Sequence, residues 1–345
     1  MADTRPMEHR QYAHCESGVV TALLRNKGLD LSEPMVFGIT GGLTFAYLPF
    51  IKITNLPIIA YRMFPGSIIR GATKNLAVDF KTKRYRDKRE ALAELTRLVD
   101  GGTAVGLQTS VYWLPYFPPE MRFQFNAHNL IVYGREGEEF LVSDPVFEHT
   151  VRIKTDDLQN ARFAKGTLAP KGFIYYPIRV IPSVDFRAVI RKSIKRTVHM
   201  MLYAPMPFIG IKGIRCLARR IERLDPRKDA KAVRLFLGHI VRMQEEIGTG
   251  GGGFRFMYAA FLQEAGQLLD SPPLGEASRM MTEAGDMWRL FALACAKACK
   301  SKTADFNLGE IAELLRKCAA QEKLVYLLLK NSPLPKSSSA PAGPC

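Results

Sequence analysis

One cysteine constrains this chain more than any other residue. In His14-Cys15-Glu16-Ser17-Gly18 it stands directly before the apolar run Val19-Val20-Thr21-Ala22-Leu23-Leu24. Val19, Val20, Leu23 and Leu24 fall on one face of a 3.6-residue period, which predicts a helix from Glu16 to about Lys27 closed by Gly28. A cysteine at a helix start sits among backbone N–H groups with no intrahelical acceptor, and together with the helix dipole they favour the thiolate.

Two later strand-like segments supply partners. Residues 127–134 carry His128 and residues 139–144 end in Asp144, with Arg135-Glu136-Gly137-Glu138 as the hairpin turn. In an antiparallel pair, His128 at the start of one strand and Asp144 at the end of the next lie side by side. Cysteine first, then a histidine and a carboxylate on neighbouring strands, is the chain order of a papain-like site. It gives Cys15 as nucleophile, His128 as base and Asp144 as the group that orients the base. His14 points elsewhere at the helix start, and His149 lies past the Asp144 turn and reads as surface. An oxyanion at the reacting carbonyl needs the Cys15 backbone N–H and one side-chain donor, for which Gln11 and Gln108 are both candidates.

Charge narrows the partners. A net charge of +16 favours an acidic protein, an anionic membrane face or nucleic acid. The six cysteines are Cys15, Cys216, Cys295, Cys299, Cys318 and Cys345, and none forms the paired Cys/His spacing of a zinc site. Cys295, Cys299 and Cys318 lie on helical patterns and read as buried thiols, which suits a reducing compartment. The first residues, Met1-Ala2-Asp3-Thr4-Arg5-Pro6, have no apolar signal region, and no long apolar run suggests a membrane span. A cytoplasmic location with no metal and no resident cofactor is the expectation.

The rest of the chain falls into an α+β part over residues 1–184, a mainly helical part over 185–331 and a Pro/Ser-rich tail over 332–345 that reads as disordered. Gly41 and Gly42 make either a tight turn or a wall of the pocket beside Cys15. Lys81, Lys83, Arg84, Arg86, Lys88 and Arg89 form a basic run, a solvated face or a docking patch. Tyr112, Trp113 and Tyr116, in an aromatic and proline-rich stretch over 112–119, suit a pocket wall or lid as well as they suit core. A strand over 172–178 is expected to close the sheet. Arg187, Arg191, Lys192, Lys195 and Arg196 precede Met200, Met201, Leu202 and Phe208, a pattern resembling an interfacial helix. The glycines at 250–253 either bind an anion, such as a phosphopantetheine phosphate, or join helices, and Arg255 and Tyr258 one turn apart are candidates for an interdomain pocket.

Several of these motifs carry a family resemblance. His14-Cys15-Glu16-Ser17-Gly18, Leu31-Ser32-Glu33-Pro34-Met35-Val36-Phe37-Gly38, Gly41-Gly42-Leu43-Thr44-Phe45 and Tyr112-Trp113-Leu114-Pro115-Tyr116 resemble the N-terminal domain of the butirosin biosynthesis protein H family. Gly250-Gly251-Gly252-Gly253-Phe254-Arg255-Phe256-Met257-Tyr258 is similar to the helical domain that often follows it. The resemblance implies a papain-like fold used for acyl transfer, from the phosphopantetheine arm of an acidic acyl carrier protein to a small amine-bearing acceptor. It implies Cys15, His128 and Asp144 as the catalytic residues. Where the family leads one to expect an acidic residue ahead of Tyr112, this chain has Ser110, a departure at the position suited to a polycationic acceptor. The rival readings are a cysteine peptidase, amidase or thioester hydrolase with the same three residues, and an inactive module binding membrane or nucleic acid.

Overall fold

The computed structural model describes residues 7–53, 55–180, 184–301 and 307–332. In chain order the elements are α1 (Cys15–Asn26), α2 (Glu33–Ile39), β1 (Leu43–Ile53), β2 (Leu56–Arg62), α3 (Ser67–Asn75), β3 (Val78–Lys83), α4 (Lys88–Asp100), β4 (Val105–Thr109), β5 (His128–Glu136), β6 (Glu139–Ser143), β7 (Val151–Lys154), α5 (Thr155–Arg162) and β8 (Ile174–Val180). Then follow α6 (Phe186–Tyr203), α7 (Gly210–Glu222), α8 (Pro226–Val241), α9 (Arg255–Leu269), α10 (Pro272–Lys300) and α11 (Leu308–Asn331). The α+β class holds, with the sheet in the first half and a helical second half. The tail expected to be disordered lies, from residue 333, outside the described residues, as does Cys345.

The chain forms two compact units, and the boundary is not the single one expected at residue 184. One unit is Met1–Val36 with Pro65–Val184, and the other is Phe37–Phe64 with Asp185–Cys345. The β1–β2 hairpin belongs with the helices because its aromatic residues are part of their core. Phe45 and Tyr61 pack on Trp288 of α10 with ring centroids 5.7 and 5.4 Å apart. Tyr47 N–H donates to the Phe208 carbonyl at 2.9 Å, and the His239 ring bonds the Pro57 carbonyl at 2.9 Å.

In the first unit a six-stranded antiparallel sheet runs in the order β3-β8-β4-β5-β6-β7. The strand over 172–178 therefore does not close the sheet. Ile174, Tyr175 and Tyr176 are buried in succession, as an inner strand covered on both faces requires. β3, with exposed Asp79, Lys81 and Lys83, forms the edge, where charge discourages further pairing. On one face Leu107, Leu130, Val132, Val142 and Ile174 share a core with Leu95 and Leu98 of α4 and Leu158 of α5. Side chains alternate along a strand, so Asn129 of β5 faces the other way, toward α1. The hairpin turn tightens to Gly137-Glu138, since Glu136 pairs with Glu139 and Gly137 has φ +58°.

The second unit is organised by buried aromatic and charged groups. Pro272 and Pro273 separate α9 from α10 and occupy the first turn of α10, where a missing N–H is harmless. The apolar stripe Ile190, Ile194, Val198 and Met201 of α6 is buried inside this unit, while Met200, Leu202 and Phe208 of the interfacial-helix pattern are half-buried. No helix among the described residues is long and apolar enough to cross a membrane. Arg255 and Glu322, both fully buried, pair at 2.9 Å, and Glu322 also accepts from Trp288 Nε1 and from the Tyr326 hydroxyl. Arg255→Met strands that carboxylate in the core, so a loss of about 3–5 kcal/mol is expected in urea denaturation.

Candidate active site

Cys15 is half-buried and is the first residue of α1. The turn that presents it is fixed from several sides. His14 is the N-cap, its Nδ1 accepting the Ser17 N–H at 3.2 Å. The Glu33 carboxylate accepts from Ala13 N–H at 2.8 Å, His14 N–H at 3.0 Å and the Ser17 hydroxyl at 2.7 Å. Burial pushes the Glu33 carboxyl up, while these three donors pull it back. Glu16, the residue after the cysteine, accepts from Ile68 N–H at 3.0 Å and so ties α1 to the start of α3.

The arm before the cysteine is stitched to the turn that carries Asp144. The two nitrogens of the His9 ring bond Ser143 Oγ at 2.7 Å and the Phe147 carbonyl at 3.0 Å. Gln11 Nε2 donates to the Val146 carbonyl at 2.9 Å, and Tyr12 N–H to that of Pro145 at 2.9 Å. Tyr12 also explains Gly18, because a Cβ there would come within 2.5 Å of the tyrosine side chain.

His128 and Asp144 meet as their strands bring them to one end of the sheet. His128 Nε2 lies 2.7 Å from Asp144 Oδ2, with both side chains buried. Asp144 is held by two further donors, the Tyr116 hydroxyl at 2.9 Å and Val146 N–H at 3.0 Å. Cys15 also acts on this ring and, like Asp144, favours its charged form. Burial alone would lower the pKa of His128, but the Asp144 carboxylate outweighs it, helped by Cys15, and holds the imidazolium up to about 10. The arrangement can therefore carry a thiolate beside a protonated imidazole.

A side-chain amide also reaches the sulfur. Asn129 Nδ2 is 3.8 Å from Cys15 Sγ and donates to the Ala127 carbonyl at 3.0 Å. Its Oδ1 accepts the buried Tyr175 hydroxyl at 2.9 Å, which fixes which end of the amide faces the cysteine.

Comparison with known proteins places this arrangement in a family. Residues 14–145 match the family described as butirosin biosynthesis protein H, N-terminal, and residues 156–329 match a domain of unknown function, DUF4872. The chain belongs to the DUF4872 family, and its first part is similar to butirosin biosynthesis protein H. Among solved structures it is similar to a C39-like peptidase from Bacillus anthracis, at 14% identity and a TM-score of 0.36, over 51% of this chain and 96% of that one. No curated protein matches.

The other candidates expected in this butirosin biosynthesis protein H relative are placed differently. Gln11 is exposed and spends its amide on Val146. Gln108 is buried and donates to the carbonyls of Asn126 at 2.9 Å and Leu168 at 3.1 Å. Of the three amides, Asn129 is the one whose Nδ2 is placed at the sulfur. Tyr116 is not a pocket wall but a support under Asp144. Tyr112 and Trp113 are exposed and line a cavity of about 310 Å³ whose walls include neither Cys15, His128 nor Asp144.

Gly41 and Gly42 belong to the second unit and are explained within it, Gly41 by a φ of +68° and Gly42 by the Phe37 ring at 2.6 Å from where a Cβ would stand. Arg255 and Tyr258 are fully buried core residues of that unit, so neither lines a pocket. The glycines at 250–253 all have positive φ, and Gly252 N–H already meets the Glu245 carboxylate at 3.2 Å. Gly253 is pressed against Tyr61, where a Cβ would come within 2.3 Å. Close packing therefore accounts for this run, and the anion it holds is the chain's own.

Proposed function

We propose that the protein is a cysteine-dependent acyltransferase that takes an acyl group from an acyl carrier protein thioester onto Cys15 and passes it to an amine. The observation that supports this reading is the buried His128–Asp144 hydrogen bond, whose charged form Cys15 also favours, in a chain whose first part is similar to butirosin biosynthesis protein H. In the first step the Cys15 thiolate attacks the thioester carbonyl, a carbon–sulfur bond to Cys15 forms, and the carrier thiolate leaves with the proton held on His128. In the second step the amine attacks the Cys15 thioester, His128 takes its proton and returns it to the Cys15 sulfur as the amide departs. The oxyanion of each tetrahedral intermediate is met by Asn129 Nδ2 and the Cys15 backbone N–H.

A carrier protein is acidic, and the exposed Lys81, Lys83, Arg86 and Arg89 of the first unit give it a basic face on which to dock. The phosphopantetheine arm is the carrier's own, so the enzyme itself needs no resident cofactor for these steps. Incubation with an acyl-loaded carrier should give an intact-mass adduct equal to the acyl group on Cys15, discharged by an amine. Turnover of peptides with no adduct from any loaded carrier would replace transfer by peptidase chemistry. Asn129→Ala is expected to slow the acylation step by a factor of about 100 to 1,000, with the carrier KM little changed. Stopped-quench acylation rates read this directly.

A further inference from the structure

Two cavities of the first unit have no acidic side chain on their walls. The smaller one, about 230 Å³, is walled by Arg70, Arg84, Gln108, Asn129 and Phe173 together with the start of α3 at Pro65 and Gly66. Cys15, His128 and Asp144 are not among its walls; Asn129 is the wall residue that reaches the sulfur, with Nδ2 3.8 Å from Cys15 Sγ. The bond from Ile68 N–H to Glu16 fixes the opposite wall to the residue after the cysteine.

Several features make this cavity receptive to negative charge. The Arg84 guanidinium stacks over Phe173 at 4.4 Å and donates to the Pro170 carbonyl at 3.0 Å, so it is held in place. Among the described residues neither Arg84 nor Arg70 is ion-paired with a carboxylate. Both arginines are largely exposed, and the part of the Arg84 guanidinium that is covered lowers its pKa from the usual arginine value through desolvation. The start of α3 has Gly66 as N-cap and no acidic residue of its own in the first turn, but its Ile68 N–H is taken by the Glu16 carboxylate, so the positive charge of this cavity is that of Arg70 and Arg84. The larger cavity repeats the sign, with Lys88 and Lys165 on its walls.

We infer that the substrate group seated beside Cys15 is anionic, a carboxylate or a phosphate bound by Arg70 and Arg84, and is not a polycationic amine. This rests on the reading of Cys15 as the nucleophile and names the chemistry that the cavity next to it, shared through Asn129, selects. The cavity is smaller than the ~300 Å³ at which pockets for drug-sized ligands begin, so it suits a small acid on the acyl group or the acceptor. A whole phosphopantetheine arm does not fit there.

Paired alkylation tests the inference without a carrier or an acceptor. Iodoacetate and iodoacetamide both react by thiolate displacement of iodide, forming one S–C bond as the C–I bond breaks, and differ chiefly in charge. The ratio of their rates at Cys15, divided by the same ratio for glutathione, should exceed one. It should fall about threefold or more in R70Q/R84Q, on the scale of two partly exposed ion pairs. In the unaltered protein, inorganic phosphate or acetate should slow iodoacetamide labelling of Cys15 saturably, beyond chloride at equal ionic strength. Which of the two anions protects better distinguishes phosphate from carboxylate.

A normalised ratio of one or less overturns the inference, as does a ratio unchanged in the folded double variant, absence of protection by both anions, or no labelling of Cys15. A clear anion preference in a protein that no loaded carrier acylates would uphold the anionic pocket and sink the carrier-dependent transfer. An adduct from a carrier without the preference would do the reverse.

Discussion

With alanine at position 15, transfer from a loaded carrier is expected to fall by a factor on the order of 10,000 to 1,000,000, because no other group near the site can hold the acyl chain covalently. The remaining rate would come from the bound geometry and Asn129 alone. Cys15 is only half-buried at the first position of α1, where the helix start is capped by His14 and braced by Glu33, so the variant should fold. Single-turnover assays that follow the acyl group from carrier to amine, together with an unchanged urea midpoint, separate chemistry from folding. Full transfer by the Cys15→Ala protein would remove the cysteine mechanism altogether.

Asp144→Asn should cost about 10,000-fold, since it keeps the shape but no longer stabilises the imidazolium or sets its tautomer. The sign of the pH effect follows from the raised pKa of His128. In the native protein the imidazolium persists until the pH nears about 10, so the alkaline limb of the Cys15 alkylation profile lies there. Without the carboxylate, burial dominates and favours the neutral ring, and that limb should move down to neutral pH or below. The same linkage stabilises the fold. Its contribution is complete below the unfolded histidine value of about 6.5 and is lost as the pH rises through about 10. Urea midpoints measured across that window should fall more steeply for the native protein than for Asp144→Asn. An alkaline limb identical in both proteins would show that Asp144 does not govern His128.

Much of the site was legible because its parts follow local rules. Apolar periodicity and Gly28 marked α1, and the hairpin signal at Gly137 set His128 and Asp144 at one end of paired strands. Less legible were features decided by distant partners. Asn129 was missed, although strand alternation puts a polar residue at that position on the face opposite Leu130 and Val132, amid an apolar run. Gln11 and Gln108 had the right chemistry, but their donors are taken by carbonyls that only the folded chain brings near. Arg255 looked like a pocket residue because its partner Glu322 lies on another helix, 67 positions away. The place of β8 inside the sheet depended on the order of strands, which periodicity does not encode.

The interleaving of the two units has a consequence for anyone who wishes to divide the chain. A fragment ending at residue 184 would carry Phe45 and Tyr61 without Trp288, and the hairpin would present bare aromatic surface to other copies of itself. The complementary fragment would leave Trp288 and the glycine turn at Gly253 facing the space that Tyr61 should fill. During synthesis the hairpin likewise waits for more than half of the chain before its packing partners exist, an interval in which a chaperone has most to protect. A self-sufficient catalytic unit therefore calls for a splice, residue 36 joined by a short linker to residue 65, and not for a truncation.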